Sequence, residues 1–484
     1  MSENFDFSGP VAIPNKTLRT VIKFGGSSLA NSERLLEVGN LVKYLIQNGQ
    51  KPTMVCSAMG KTTNNLLNAG THALDDGRVY VDLIRTLHTN TINQLELNDS
   101  VREDVDGLLK DLTSLLTGIS FLKELTPRTK DHLVSFGERM SVRIVASLLN
   151  KLGVPAQYFD AWSLGITTTN EFGNAEILEE SYEKISKVMA GFDENSVAVV
   201  TGFIGHSLDG QITTLGRGGS DLTATVIGVA VGADEVQVWK DVNGMMSADP
   251  RAVSAAIPVP FVTYEEAAEL AYFGAKILHP VAMRPAQKKS IPVRIKNSYN
   301  PSHPGTFITD KKGNEDRLVK AITFKEGVEL IDIVSTRMLG QVGFLSKVFS
   351  VFEENNLSID MVATSEVSIS LTLDQTACKK RTKDIAMQQL SLIAEVKEHN
   401  NVAIISLIAN VQRSSEVMAE VFRIMKDEKL HVMMLSQGAS KVNVGLVVKQ
   451  EDLSRAVTSL HAYFFENEKI ERGVNGASVE VSAN

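Results

Sequence analysis

The chain has 484 residues, room for about three domains, and its 43% hydrophobic and 22% charged content is that of an ordinary globular protein. A formal net charge of −8 argues against general nucleic-acid binding, because a phosphate backbone rewards a basic face. Cys56 and Cys378 have no CxxC spacing and no nearby histidine pair, so neither a disulfide scaffold nor a zinc site is indicated and a reducing compartment is expected. Residues 1–18 lack the pattern of a targeting peptide and read as a flexible tail. No apolar run is long enough to span a bilayer, so a cytoplasmic protein without a membrane partner is expected.

The first strand is predicted over residues 20–24, ending in Gly25-Gly26-Ser27-Ser28, with helical spacing over 31–46. Lys23 is the only charge in that strand and stands beside a nest of backbone amides. It is either a surface charge or a phosphate contact. Residues 52–56 form a second strand, followed by a hydroxyl-rich turn over 57–64. There Ser57 and Thr62 or Thr63 either hold a small carboxylate or amine, or cap the next helix. Residues 72–126 read as helical and mixed in charge.

The helix predicted over 131–150 carries the clearest pattern. At 100° per residue, Arg139, Arg143 and Asn150 fall within about 40° of one another and are expected to form a solvent stripe. Glu138 falls instead beside Val134, Val142 and Val145, on an apolar face where a carboxylate needs a partner or a task. A buried ion pair or a ligand amine would each satisfy it.

Strands follow over 156–159 and 196–201, the second running into Gly202-Phe203-Ile204-Gly205. Another strand over 211–215 leads into Gly216-Arg217-Gly218-Gly219-Ser220-Asp221 and then a helical stretch over 222–230, with Ser220 or Asp221 as the expected N-cap. Glycines before a helix start leave amides free and aim the positive end of the dipole at an anion. The run is neither a Walker A loop nor the dinucleotide fingerprint. A strand over 235–239 precedes residues 240–251, which either close over a flat base and its phosphates, with Arg251 as counter-charge, or form a surface hairpin. All four glycine loops are expected at strand ends. Recurrent βα alternation predicts a mainly parallel sheet with helices on both faces, and ligands then gather at the carboxyl ends of its strands.

Residues 297–316 are rich in breakers and charge and mark a domain boundary. Beyond it lies an internal repeat with a period of about 72 residues. One copy has strands at 328–335, 357–363 and 367–373 and a helix near 343–355; the other has strands at 402–410, 431–435 and 441–448 and a helix at 414–426. Met361 matches Met433, and Ser365 matches Gln437. Each βαββα unit is too small to bury its sheet alone, so pairing within or between chains is expected, for binding at shared edges or for dimerisation.

Six motifs in order give the chain a family likeness. They are Lys23-Phe24-Gly25-Gly26-Ser27-Ser28, Ser135-Phe136-Gly137-Glu138, Thr201-Gly202-Phe203-Ile204-Gly205, residues 216–221, residues 239–251, and Gly274-Ala275-Lys276-Ile277-Leu278-His279-Pro280. Over residues 21–465 the chain resembles the aspartate kinases of the single-function, lysine-sensitive branch. The resemblance implies a three-layer αβα amino acid kinase domain with a mainly parallel sheet over 19–310, followed by two βαββαβ, ferredoxin-like ACT domains. Residues 311–326 would be a linker and a strand given to the second ACT domain. The first ACT domain would span 327–399, the second 400–475, and a tail 476–484.

By the same resemblance, Lys23, Gly25, Gly26 and Ser27 meet the transferring phosphate. Ser57, Thr62 or Thr63, Glu138, Phe203, Arg217 and Ser220 hold aspartate, and Asp221 completes the catalytic set. Lys240, Asp241, Met246, Arg251 and Lys276 line ATP, although Lys240 replaces a threonine and Met246 a tyrosine of some members. Met338, Gln341, Ser358, Ile359, Asp360, Ser365, Glu366 and Val367 match an allosteric lysine site. A plant-type likeness over 405–415 adds S-adenosylmethionine as a second effector. The implied reaction opens lysine, threonine and methionine biosynthesis, with Mg²⁺ carried by ATP rather than by protein side chains, in a homodimer or homotetramer.

The chemistry agrees with the residue types. A carboxylate with a pKa of about 4 is ionised at neutral pH and attacks a γ-phosphate without a general base. It needs relief of anion repulsion and in-line positioning, which lysine, arginine, amides and Mg²⁺ supply. Glutamate or UMP kinases, and an idle amino-acid sensor on a kinase scaffold, are the rival readings.

Overall fold

Strands buried on both faces need helices above and below, and the strands of the first half have that character: the last five residues of 18–24, of 50–56 and all of 197–201 are buried. A computed structural model describes residues 17–274, 278–310, 317–335, 342–375, 380–438 and 440–466. Residues 1–16 and 476–484 of the expected tails, and the expected ligand contacts Lys276, Met338 and Gln341, lie outside the described residues.

The chain divides into two units, the first comprising Met1–Met245, Pro260–Tyr264 and Ile277–Gly313. In chain order its first elements are β1 (Leu18–Phe24), α1 (Ser32–Gln47), β2 (Gln50–Cys56), α2 (Thr62–Asp75), α3 (Asp82–Gln94), α4 (Asp99–Leu122) and α5 (Pro127–Lys151). Next come β3 (Ala156–Phe159), α6 (Ala161–Leu164), β4 (Thr167–Thr168), α7 (Glu180–Ala190), β5 (Val197–Thr201), β6 (Ile204–Ser207), β7 (Ile212–Thr214), α8 (Gly219–Ala230) and β8 (Glu235–Lys240). After β9 (Phe261–Val262) comes α9 (Tyr264–Tyr272), which apart from its first residue belongs to the second unit. The first unit closes with α10 (Pro280–Lys288), β10 (Val293–Asn297) and β11 (Thr306–Ile308).

The main sheet has eight strands in the order β3-β5-β2-β1-β8-β10-β11-β9, parallel except where β11 runs against β10. Strands are added to one side of β1 from β2 and to the other from β8. The carboxyl end of β1 is therefore a topological switch point, where α/β sheets open a crevice. The register aligns Phe24 with Cys56 and with Trp239, so the loops leaving β1, β2 and β8 start level with one another.

All four glycine loops do leave strands, although the one after residue 215 leaves β7, which lies in a separate three-stranded sheet of order β4-β6-β7. Two expectations change here. Helix α8 starts at Gly219 with Gly218 as N-cap at φ 78°, not at Ser220 or Asp221. A left-handed glycine ends the loop two residues before Ser220 and three before Asp221, and frees the Asp221 side chain from capping. Arg139 and Arg143 are not a solvent stripe. Arg143 holds Asp160 through two hydrogen bonds of 3.1 and 3.2 Å, and Arg139 approaches the same carboxylate at 3.7 Å. Helical periodicity cannot see a partner carboxylate brought in by the turn after β3.

The second unit comprises Met246–Val259, Glu265–Lys276 and Asn314–Asn484. Its elements after α9 are β12 (Val319–Val334), α11 (Phe344–Glu354), β13 (Ile359–Thr364), β14 (Ser368–Asp374), α12 (Lys380–Ser391), β15 (Glu395–Ala409), α13 (Ser414–Asp427), β16 (Met434–Ser436), β17 (Asn443–Lys449) and α14 (Leu453–His461). The repeat is real, and its two copies share one antiparallel sheet in the order β13-β14-β12-β15-β17-β16. Residues 319–325 of β12 pair with 404–409 of β15, and residues 328–334 pair with 395–402. The second copy thus takes its first strand from ahead of the first copy.

Two cores pack under helices, one around Phe352, Leu371 and Leu390 and one around Ile405, Leu446 and Val457. A third cluster joins Met361, Ile404 and Val447 to Phe273, the residue after α9. Among the described residues, no helix is long and apolar enough to cross a membrane. Ile405 is fully buried in the shared sheet, so Ile405→Ala should cost about 2–5 kcal/mol and lower a calorimetric unfolding transition. Phe121→Ala, at a side chain 81% exposed, should leave that transition in place.

Candidate active site

The site begins where β1 ends. Lys23 lies on the last turnless stretch of an apolar strand, and its ammonium is 2.6 Å from an Asp221 carboxylate oxygen, with the two side chains 8% and 6% exposed. Asp221 sits in the first turn of α8, where it also lies 3.8 Å from the Lys240 ammonium at the end of β8. Burial pushes the Lys240 pKa down, while Asp221 opposes that shift.

Gly26 explains why the next loop can come so close. A Cβ there would stand 2.9 Å from the carbonyl oxygens of Ala58 and Gly60, and the Gly60 amide donates to the Gly26 carbonyl at 3.0 Å. The β1 and β2 loops are thus zipped together through bare backbone. Gly218 is similarly constrained, since a Cβ would meet that of His279 at 2.6 Å.

Helix α5 brings Glu138 beneath these loops. Its side chain is buried, Oε1 accepts from the Ala58 amide at 3.1 Å, and Oε2 has no hydrogen-bond partner among the described residues. Burial raises its pKa from an ordinary 4.5 to about 8, against the opposing pull of the Ala58 amide and the Lys23 charge. Nearby, the Ser57 hydroxyl donates to Ser220 Oγ at 3.0 Å. Phe203 adopts φ 71°, unusual for a side-chain-bearing residue, and is pinned there as its carbonyl accepts from the Leu215 amide at 2.9 Å and its amide donates to Thr223 at 3.1 Å.

Lys23, Gly26, Ser57, Thr63, Glu138, Phe203, Ser220 and Asp221 all line one cleft of about 400 Å³. Cations, a buried carboxyl with a vacant oxygen and helix-start amides therefore face the same space. Such a set can hold an amine at one end and a phosphate at the other.

Other expected residues are placed differently. Thr62 begins α2, is fully buried and donates to the Met59 carbonyl at 2.6 Å, so the turn after β2 ends at Lys61. Arg217 is exposed and does not line the cleft, although Gly216 and Gly218 on either side do. Burial pushes the His279 pKa down, and the Arg217 charge adds to that shift. Gly25 and Ser27 flank the cleft, and the exposed Ser27 offers its carbonyl to Tyr299 at 3.1 Å. Asp241 is exposed. Met246 and Arg251 belong to the second unit, where Arg251 is 85% exposed and bonds Asp249 at 2.6 Å.

Sequence reasoning passed over four residues. Lys61 and Asn64 line the cleft, and their only signal is membership of the hydroxyl-rich turn. Asp131, at the start of α5, accepts from the amides of Gly173 and Thr214 at 2.9 and 2.8 Å and from the Thr214 hydroxyl at 2.9 Å, fastening the strand that feeds the Gly216 loop. Ser298, within the run read as boundary, is buried and donates its amide to the Lys240 carbonyl at 2.7 Å. Among the described residues, no group of three or more His, Cys, Asp or Glu side chains is placed to hold a metal.

In the second unit, Asp360 at the start of β13 is bonded by Lys325 and Tyr272, whereas Ser365, Glu366 and Val367 are exposed at the far end of that strand. Ser358 is exposed and Ile359 half-buried. Five residues of strand separate Asp360 from Ser365, about 17 Å, so one chain does not bring the two groups together.

Residues 18–297 match the amino acid kinase family, and residues 331–386 and 405–464 match the ACT domain. The chain is 48% identical to aspartokinase 2, chloroplastic, of Arabidopsis thaliana, over 96% of this chain and 87% of that one. The chain belongs to the aspartokinases. Solved structures of E. coli aspartokinase III agree in fold. The complex with lysine and aspartate has a TM-score of 0.76, and the complex with aspartate and ADP one of 0.77; each is 32% identical and covers 92% of this chain and 99% of its own. The chain is accordingly a kinase, and its αβα domain and ACT-type sheet are those of its family.

Glu138 gives a stability test with a defined sign. A carboxyl whose pKa is raised by folding contributes stability that is full below the unfolded value of 4.5 and is lost as pH rises through about 8. Glu138→Gln should therefore gain stability relative to the parent protein as pH rises from about 5 to 8.5. Urea denaturation at stepped pH measures this; parallel curves would show that Glu138 is not held protonated.

Proposed function

We propose that the cleft transfers the γ-phosphate of ATP to the β-carboxylate of L-aspartate, giving 4-phospho-L-aspartate and ADP. The observation that carries this reading is the vacant Oε2 of Glu138 facing the same cleft as the Lys23–Asp221 pair. Glu138, ionised once an ammonium approaches, binds the substrate amine. Ser57, Thr63 and Ser220 position its carboxylates, and Phe203 walls the cleft. Arg217 would turn inward on substrate binding, an excursion its glycine neighbours permit.

A β-carboxylate oxygen attacks the γ-phosphorus while the bond to the ADP oxygen breaks. Lys23 and the α8 amides neutralise the phosphoryl oxygens, and Asp221 keeps Lys23 aimed. Gly25, Gly26 and Ser27 follow the phosphate, with Lys240, Asp241, Met246, Arg251 and Lys276 toward the nucleotide. Mg²⁺ fits as a counter-ion carried by the phosphates, since Asp221 already serves two ammonium groups.

Regulation by lysine is the second part of the reading, with S-adenosylmethionine as a further candidate effector. The E. coli structure holding lysine and aspartate supports it, as do the matching residues around Asp360. The separation of Asp360 from residues 365–367 favours a seat completed by a second copy of the chain, and so a homodimer or homotetramer. The kinase domain is taken as 19–310, the shared strand region as 311–326 and the ACT domains as 327–399 and 400–475. The enzyme would work in the cytoplasm, at the head of lysine, threonine and methionine synthesis.

ADP release assayed with L-aspartate, L-glutamate and UMP separately should occur with aspartate; activity only with glutamate or UMP would move the chain to another amino acid kinase activity. Lys23→Ala should lower turnover by roughly 10²-fold or more with the chain still folded. Turnover near that of the parent would remove Lys23 from its role.

A further inference from the structure

Asp360, the carboxylate expected to receive the effector, is already occupied. Its Oδ2 lies 2.7 Å from the Lys325 ammonium, its Oδ1 accepts from the Tyr272 hydroxyl at 3.0 Å, and its side chain is only 3% exposed. The same ammonium lies 3.0 Å from Asp374 and 5.6 Å from the centre of the Tyr272 ring. Two carboxylates and an aromatic face around one alkylammonium form the seat that a free lysine side chain would require. Without a cation between them the two carboxylates would repel each other, so the seat favours being filled.

We propose that Lys325 is a tethered surrogate for the effector, and that a free primary alkylammonium such as L-lysine acts by displacing it from Asp360. This rests on the reading of lysine as effector and Asp360 as its acceptor. A cation on a short tether competes at an effective concentration of millimolar order, which sets the threshold the effector must exceed. Lys325 stands where the pairing of β12 with β15 shifts register, between the two halves of the shared sheet. The exchange also replaces the group that Tyr272 shares Asp360 with. Tyr272 ends α9, which holds the sheet through three further bonds: Glu266 to Lys320, Glu269 to Asn443, and the Phe273 carbonyl to Thr323. In sequence α9 lies inside the stretch that matches the amino acid kinase family. A change of occupant at Asp360 therefore reaches a helix continuous with the catalytic chain.

The test titrates L-lysine against the phosphotransfer rate of the full chain, and measures its binding by calorimetry, for the parent, Lys325→Met and Lys325→Arg. Lys325→Met should lower both the half-inhibitory concentration and the dissociation constant by roughly three- to tenfold, as expected for removal of a partly buried competing cation from its two carboxylates. Lys325→Arg, which keeps the cation, should return the threshold to near that of the parent. Lys325→Gln replaces the methionine variant if that one fails to fold. A parent inhibited by lysine, with an unchanged or higher threshold in Lys325→Met, overturns the surrogate and leaves lysine regulation standing. A parent that ignores lysine while Lys325→Met binds it supports the surrogate and ends the regulatory reading for the parent chain. If neither binds lysine, both fall.

Discussion

The catalytic unit depends on one buried ion pair. Lys23 and Asp221 are far apart in sequence, each is less than a tenth exposed, and desolvating two such charges costs more than an exposed pair ever returns. Removing either partner would leave the other uncompensated in the interior. The pair joins the carboxyl end of β1 to the first turn of α8, and so determines which way the free amides of that helix face. A hydrophobic bridge could hold the two elements as well or better. It could not present a fixed positive charge at the mouth of the cleft, which the proposed phosphate transfer requires.

Around that pair the chain accepts local conflicts that a purely structural protein would avoid. Glu138 is sunk among apolar side chains with one carboxyl oxygen unpartnered among the described residues, and burial raises its pKa to about 8. Phe203 is held at a positive φ by a backbone bond from the Leu215 amide and by its own amide's bond to the Thr223 hydroxyl. Gly26 admits two carbonyl oxygens where a methyl group would collide. These three departures border the same cleft. Their convergence separates a binding site from an ordinary strand-to-helix turn, since each alone would pass as packing.

Much of this was legible because it is local. An isolated lysine in an apolar strand, glycines after strands and a glutamate on the wrong face of a helix are all patterns of period and composition. The 72-residue repeat, likewise, needed only self-comparison. What escaped depends on partners distant in sequence. Arg139 and Arg143 look solvated until Asp160 is folded against them, and Asp131 looks like one more surface acid until its three donors arrive from Gly173 and Thr214. The start of α8 precedes the polar caps that composition names, because a left-handed glycine decides the boundary. Ser298 was hidden by breakers that read as linker although its side chain is packed away.

The regulatory sheet sets a different constraint. Because β12 and β15 each run through both copies of the repeat, neither copy has a closed hydrogen-bonded sheet of its own. A ligand that bends one half must strain strands belonging to the other, so the pair responds together or resists together. Helix α9 lies on this shared surface through Glu266, Glu269, Tyr272 and the Phe273 carbonyl, and its contacts reach β12, β13 and β17. Those strands come from both copies. A helix anchored to both halves cannot follow one without the other, and its own residues are continuous in sequence with the stretch that leads to His279 and α10. Sharing strands between the copies thus makes the sheet a single body, and α9 a helix bonded to both copies that lies, in sequence, inside the stretch matching the amino acid kinase family.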